Sequence, residues 1–285
     1  MPHPDDHDAF YAELTSRNRG LIASELQDRL RRTRIVVAGC GSTGGAVLMP
    51  LLRTGAERML LLDPGDYELN NLNRQDATLA DLGRNKAAAQ AERLLAVNPH
   101  ASLEVREEGV KPETIGGLLR SGDLVVDAVD VTTQAGIDAK LALHRAAVDL
   151  RLKVLTAYDI AATQYVEVFD YERTRRPLGG RVKDGAKGSE AVLRSLIPPR
   201  ALPREIFPIL KERRGDASLG FPQLVMTSTL LGALAVEVIL RLLEGKPVRR
   251  TVRVDLADLV RPSLRRSAGH LRRDVELVDL WLKLR

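Results

Sequence analysis

The residues Gly39-Cys40-Gly41-Ser42-Thr43-Gly44 form a GxGxxG motif. Between a strand and a helix, such a loop can bind phosphate. Gly39 permits the tight turn, Gly41 lets phosphate approach the backbone, and Gly44 lets helix and strand pack closely, while the helix N-terminus supplies amide donors and a positive dipole. Asp63, at the end of the next apolar run, can accept both hydrogen bonds of an adenosine ribose. Its bland alternative is to open a turn ahead of Pro64.

NAD is the default ligand of this fingerprint, so the phosphate charge to be neutralised decides between NAD and ATP. ATP with magnesium needs cationic handles beyond the glycine loop and a carboxylate for the metal. Asn70-Asn71-Leu72-Asn73-Arg74-Gln75 surrounds one arginine, whose planar fork suits phosphate oxygens, with polar amides. Lys86 follows Gly83-Arg84-Asn85 at a helix start as a second cation. Asp130 closes Asp127-Ala128-Val129-Asp130 at the carboxyl edge of a strand, where a magnesium ligand would sit. Taken singly, Arg74 and Lys86 read as solvated charges and Asp130 as a helix cap ahead of Thr132 and Thr133. Their order behind the glycine loop favours ATP.

The elements that must position these residues alternate along the chain. Strands are predicted at Ile35–Ala38, Met59–Leu62, Leu103–Val105, Leu124–Val126, Val154–Thr156 and Tyr165–Phe169. Helices are predicted at Thr43–Arg53, Asn85–Val97, Pro112–Leu119 and Gln134–Leu150. This pattern predicts an α/β, Rossmann-like, mostly parallel sheet with helices on both faces. Residues 172–220, rich in Pro, Gly, Arg and Lys, read as a basic, flexible crossover loop over the substrate side or a solvated linker. A helix over Phe221–Glu244, a strand near Val252–Val254 and a terminal helix from Asp274 close the chain. The expected organisation is an N-terminal helical arm (1–33), a nucleotide-binding core (34–171), the crossover (172–220) and a C-terminal extension (221–285) that completes the same domain.

With 44% hydrophobic and 28% charged residues over 285 positions, the chain has the composition of a folded globular protein. The net charge of +5 suits an anionic ligand, but aromatic residues at 4% argue against a stacking platform for single-stranded nucleic acid. No stretch is read as long and apolar enough to span a bilayer, and the N-terminus lacks the features of a leader, so no membrane partner and a cytoplasmic location are expected. Cys40 is the single cysteine, which excludes an internal disulfide and a CxxC zinc site. The histidines form no catalytic set: His3 and His7 lie in a polar tail, and His100, His144 and His270 stand apart as surface or locally hydrogen-bonding residues.

The chain resembles the ThiF/MoeB/HesA family, the bacterial relatives of ubiquitin-activating enzymes, from about Ser16 to Asp170 and again over Phe221–Gly245. RIVVAGCGSTGG, LLLDPGDYELNNLNRQ, GRNKA, NPH and VVDAVD carry the resemblance. It implies an adenylyltransferase in which Gly39, Gly41 and Gly44 form the nucleotide loop and Asp63 holds the ribose. Asn71, Arg74 and Lys86 would contact the triphosphate, and Asp130 would bind Mg²⁺. Ser42 and Gln75 join the nucleotide-binding set. An arginine from the partner subunit's N-terminal segment, here best matched by Arg17, would complete the site in a homodimer. Two positions depart from the family pattern: Gly65 replaces a second aspartate, with Asp66 one place later, and Val131 replaces an asparagine. The transfer cysteine and zinc motifs of some members are missing, and Cys40, inside the phosphate loop, reads as a packing residue.

The expected reaction is ATP-dependent activation of a carboxylate as its acyl-adenylate with release of pyrophosphate, followed by direct attack of an acceptor without an enzyme thioester. A peptide, a small ubiquitin-like carrier or a small molecule would be the partner. A tRNA-nucleoside dehydratase of the same family, an NAD-dependent oxidoreductase and a non-catalytic nucleotide-binding adaptor are the alternatives. Tyr158-Asp159 is the nearest candidate for chemistry at the substrate side.

Overall fold

A computed structural model describes residues 6–183, 185–215 and 221–282. Two helices, α1 (His7–Leu14) and α2 (Ser24–Arg32), lead into β1 (Arg34–Ala38), α3 (Ser42–Thr54), β2 (Arg58–Leu62), α4 (Lys86–Val97) and β3 (Ser102–Arg106). Then come the short α5 (Ile115–Leu118), β4 (Leu124–Asp127), α6 (Gln134–Asp149) and β5 (Lys153–Ile160). Gly116 and Gly117 favour the unfolded chain entropically, which accounts for α5 being shorter than the Pro112–Leu119 helix predicted. The five strands are parallel, in the order β3-β2-β1-β4-β5. Apolar runs such as Ile35–Ala38 are buried on both faces, as a parallel sheet covered by helices requires.

One face of the sheet, with Val37 and Leu61, packs on α3 and α4; the other, with Val36 and Leu60, packs on α5 and α6. Strand β1 continues through α3 to β2 on one side but touches β4 on the other. The carboxyl ends of β1 and β4 therefore frame a topological switch point, where open α/β sheets bind ligands.

After β5 the sheet turns antiparallel: β6 (Thr163–Asp170) folds back along β5 as a hairpin. The stretch read as a loop then carries α7 (Ser189–Leu196) and α8 (Ile206–Gly215). Val192 and Leu196 of α7 enter the core on the α6 face, and Ile206 and Phe207 of α8 pack against Ile160 and Tyr165 of the hairpin. Both helices are short, α7 set between Gly188 and Pro198-Pro199 and α8 following Pro203, so Gly and Pro density concealed their apolar faces.

Helix α9 (Val225–Glu244) ends at Gly245 in the left-handed region, and β7 (Thr251–Asp255) completes a seven-stranded sheet antiparallel to β6. Helices α10 (Leu256–Val260) and α11 (Ser263–Leu282) follow, α11 starting before the predicted Asp274. Contrary to the sequence reading, α9 is long and apolar enough by length and composition to cross a membrane, with a mean hydropathy of 1.7. In this fold Leu231, Ala235, Val238 and Ile239 are buried in the core shared with α3, and a Cβ at Gly232 would stand 2.6 Å from the Ala46 carbonyl oxygen.

Candidate functional site

The glycine loop joins β1 to α3 at the switch point. Gly39 has φ +91°, and a Cβ there would lie 2.4 Å from the Ala128 carbonyl oxygen. At Gly44 a Cβ would lie 1.8 Å from the Gly39 carbonyl oxygen, so helix and turn meet backbone to backbone. Gly41 differs: its nearest neighbour is the Gln75 amide at 3.7 Å, leaving its surface open to a ligand. The buried Gln75 Oε1 has no hydrogen-bond partner, a vacant acceptor beside this opening.

Asp63, at the end of β2, is buried and accepts from the Cys40 backbone N–H at 2.5 Å and the Gly65 N–H at 2.7 Å. Burial raises its carboxyl pKa, while those two N–H groups and the Lys86 charge oppose the rise. A Cβ at Gly65 would stand 3.2 Å from Asp63 Oδ1 and 3.3 Å from Lys86 Nζ. The glycine at this position thus keeps clear the space that the Asp63 carboxylate and the Lys86 ammonium border. Asn85 caps α4 through its side chain, which also donates to the Asp63 carbonyl, and so anchors Lys86 at the helix start.

The remaining predicted residues divide. The Arg74 guanidinium donates to Gln223 Oε1 at 2.6 Å, tying its polar turn to the segment before α9. Asn71 is buried and faces its own turn: its Oδ1 accepts from the Glu68 N–H and its Nδ2 donates to Asn70. Asp130 is exposed and accepts from the Thr132 N–H and hydroxyl, while Thr133 caps α6. Val131, where the family pattern has asparagine, is a core residue. Arg17 is exposed on an arm whose Asn18 and Tyr11 bond the Thr54 and Gly55 carbonyls, at the end of α3 remote from the glycine loop. Cys40 is fully buried, and burial pushes its thiol pKa well up.

The Ser42 side chain is engaged by β5 and α9. Its hydroxyl donates to Asp159 Oδ2 at 3.1 Å, joined by those of Ser228 at 3.2 Å and Thr43 at 3.4 Å. With the Gln164 amide turned, its nitrogen also donates to Asp159 Oδ1 at 2.7 Å. Asp159 lies within β5, one strand beyond the switch point, and the Arg74 charge reaches it.

Sequence reading missed a second group beneath the strand ends. Asp127 is fully buried with Lys140 at 2.6 Å and His144 at 2.9 Å, and Thr156 donates to the same carboxylate. Burial alone would raise its pKa, but the Lys140 charge and the His144 hydrogen bond hold it well below the usual carboxylate range. His144, read as an isolated residue, is fully buried between Asp127 and Tyr171. A lysine and a histidine at i and i+4 on α6 share one helix face, and this was the available signal. His7 bonds Glu57 and stacks on His100; His3 and the side chain of His270 lie outside the described residues.

The ThiF family model matches residues 15–268. The chain belongs to the ThiF family. It is 34% identical over 114 residues to the tRNA threonylcarbamoyladenosine dehydratase of Haemophilus influenzae, which covers 39% of this chain and 44% of that protein. With the sulfur carrier protein adenylyltransferase of Thermus thermophilus it shares 37% identity over 110 residues, 38% of this chain and 41% of the relative. It thus spans less than half the length of these relatives. Among solved structures, the Escherichia coli dehydratase TcdA superposes with a TM-score of 0.60 at 20% identity over 86% of this chain and 98% of that one, which confirms the Rossmann-like fold.

The nucleotide edge has the chemistry of a phosphate and ribose site. An open Gly41, an unpartnered Gln75 acceptor, the Asp63 carboxylate and the Lys86 ammonium can receive phosphate and ribose. Among the described residues, no three His, Cys, Asp or Glu side chains gather into a metal cluster. Mg²⁺ bound between nucleotide phosphates and a single carboxylate needs no such cluster, so an exposed Asp130 fits it.

Proposed function

We propose that this chain is a cytoplasmic, homodimeric adenylyltransferase that binds ATP at Gly39–Gly44, Asp63, Asn71, Gln75 and Lys86 and activates a carboxylate as its acyl-adenylate. The activated group belongs to a peptide or carrier-protein C-terminus or to a small acid. The observation that carries the reading is the placing of the Asp63 carboxylate and the Lys86 ammonium around Gly65, beside the open face of Gly41. Ribose acceptor, phosphate cation and phosphate loop then share one strand edge.

In this reading the substrate oxygen attacks the α-phosphate, and Arg74, Lys86 and the partner's Arg17 stabilise the charge on the departing pyrophosphate. Asp130 would hold Mg²⁺, which would neutralise further phosphate charge. Positioning and electrostatics suffice for this step, which requires no protein nucleophile. The acceptor attacks the adenylate directly, because the buried Cys40 thiol is a poor candidate for transfer. Exchange of labelled pyrophosphate into ATP, screened over peptide, carrier-protein and small carboxylic acids, tests the reading. Binding of NAD(H) without ATP would sink it in favour of an oxidoreductase, and ATP binding without exchange would favour an adaptor.

One observation favours tRNA as the substrate instead. Arg29, Arg32, Arg58 and Arg120 line a cavity of about 300 Å³ at the opposite edge of the sheet, with the buried Arg34–Asp123 ion pair also in its wall. Such a surface can track a phosphate backbone, and binding would weaken steeply with salt. Salt-insensitive binding or none, measured with labelled tRNA, would remove this second reading.

A further inference from the structure

Asp159 is a half-buried carboxylate beside a loop built for phosphate. Anions repel one another in such a place unless the carboxylate holds a proton or faces a cation. Its orientation is fixed from three directions: Ser42 and Thr43 from the start of α3, Ser228 from α9, and Gln164 from β6. Arg74 is the charged group that reaches it, from the polar turn linked to α9 through Gln223. Burial, the largest influence, raises its carboxyl pKa, while Ser42, Ser228, Thr43 and Arg74 oppose that rise. The result is a carboxylate that takes up a proton more readily than a solvated aspartate does.

Ser42 links this group to the nucleotide. Its backbone belongs to the phosphate loop and its hydroxyl to Asp159, so Asp159 stands about one side-chain length from where the α-phosphate would be cradled. The parallel β5 delivers it on the same carboxyl edge as Asp63 and Asp130, but on the side away from the ribose. That is the side on which an acceptor would approach a bound adenylate.

Resting on the adenylation reading above, we infer that the acceptor is an amine and that Asp159 is the group that orients it and takes its proton. The amine nitrogen attacks the acyl carbon, a C–N bond forms, and the C–O bond to phosphate breaks with its electron pair leaving on AMP. The proton released by the nitrogen passes to the Asp159 carboxylate. Ser42, Thr43 and Ser228 are positioning residues that hold the carboxylate toward the acyl carbon.

The full chain is supplied with acetyl adenylate, with glycinamide as the amine probe, and N-acetylglycinamide is measured; AMP binding by the unaltered chain is followed by calorimetry. Asp159→Asn is expected to lose about 100-fold in kcat for aminolysis, and Asp159→Glu to recover part of it. Ser228→Ala removes a hydrogen bond that favours the ionised form, so the midpoint of the pH–rate profile should move upward, a shift that a merely structural role would not give. Aminolysis by Asp159→Asn within about threefold of the unaltered chain overturns the inference. So does an unaltered chain that binds AMP yet reacts no faster than buffer, or a Ser228→Ala profile with an unmoved midpoint. Absence of AMP binding by the unaltered chain would instead strike the nucleotide-site reading and take the inference with it.

Discussion

The Lys140 ammonium lies 2.6 Å from the Asp127 carboxylate, and both side chains are buried. Lys140 also donates to the Val129 carbonyl, so it fixes the backbone that leads to Asp130. Removing one partner of a buried pair leaves an uncompensated charge, whereas removing both does not. Lys140→Met should therefore destabilise the chain by about 3–5 kcal/mol in urea denaturation. The double variant with Asp127→Asn should recover a substantial part of that loss. Additive losses would show that the pair is not coupled.

The same group sets a pH dependence. The Leu178 N–H donates to the Tyr171 hydroxyl oxygen, leaving the Tyr171 O–H to donate to His144 Nδ1 at 2.5 Å. His144 Nε2–H then donates to Asp127, a chain that needs a neutral imidazole. Burial, opposed by Asp127, lowers the His144 pKa. Below the unfolded value of about 6.5 the unfolded chain binds a proton that the folded chain refuses, so stability should fall as pH drops from about 7 toward 5. His144→Gln should flatten that slope in denaturation curves taken across the range, and an unchanged slope would refute the assignment.

How far the sequence could be read depended on whether function lay in backbone shape or in side chains from distant segments. Gly39, Gly44 and Asp63 were legible because a local turn and one strand end set their places. Gln223 and Ser228 were not, since they meet Arg74 and Asp159 only after α9 has folded onto the sheet, and Gln164 faces Asp159 only through the register of the β5–β6 hairpin. Likewise α7 and α8 have no long apolar period, and only packing on α6 and the hairpin makes their few apolar residues count.

The glycines of the loop should separate fold from binding. Gly44→Ala drives a Cβ to 1.8 Å from the Gly39 carbonyl oxygen, and Gly39→Ala adds strain at φ +91°. Each should cost about 3 kcal/mol or more by chemical denaturation. Gly41→Ala meets nothing closer than the Gln75 amide at 3.7 Å, so stability should change by less than about 1 kcal/mol. Its methyl would occupy the surface that phosphate approaches, and ATP affinity by calorimetry should fall about tenfold or more. Equal ATP affinity in Gly41→Ala and the unaltered chain would contradict the assigned binding face.

Arg74 and Lys86 should contribute differently. Lys86 sits beside Asp63, so Lys86→Ala removes a phosphate cation and also leaves a buried carboxylate without its compensating charge. ATP affinity should fall and the Asp63 pKa should rise, making the remaining binding weaken as pH decreases. Arg74→Ala leaves Asp63 untouched but frees Gln223, so its loss in pyrophosphate exchange should be independent of pH around neutrality. Parallel pH profiles for the two variants would argue against the separate roles.

Arg17 offers a test of assembly. Helix α3 has 13 residues, and at about 1.5 Å per residue its ends lie roughly 18 Å apart. The arm carrying Arg17 is pinned to the Thr54–Gly55 end, so Arg17 can act on phosphates at the Gly39–Gly44 end only of another subunit. Arg17→Ala and Lys86→Ala should each be nearly inactive in pyrophosphate exchange. When they are unfolded and refolded together, half of a random C2 population is mixed, and each mixed dimer holds one site with an intact Lys86 and an intact partner Arg17. Activity should return to about one quarter of the unaltered level. Mixtures that stay inactive, or full activity of Arg17→Ala alone, would place the triphosphate cations within a single subunit.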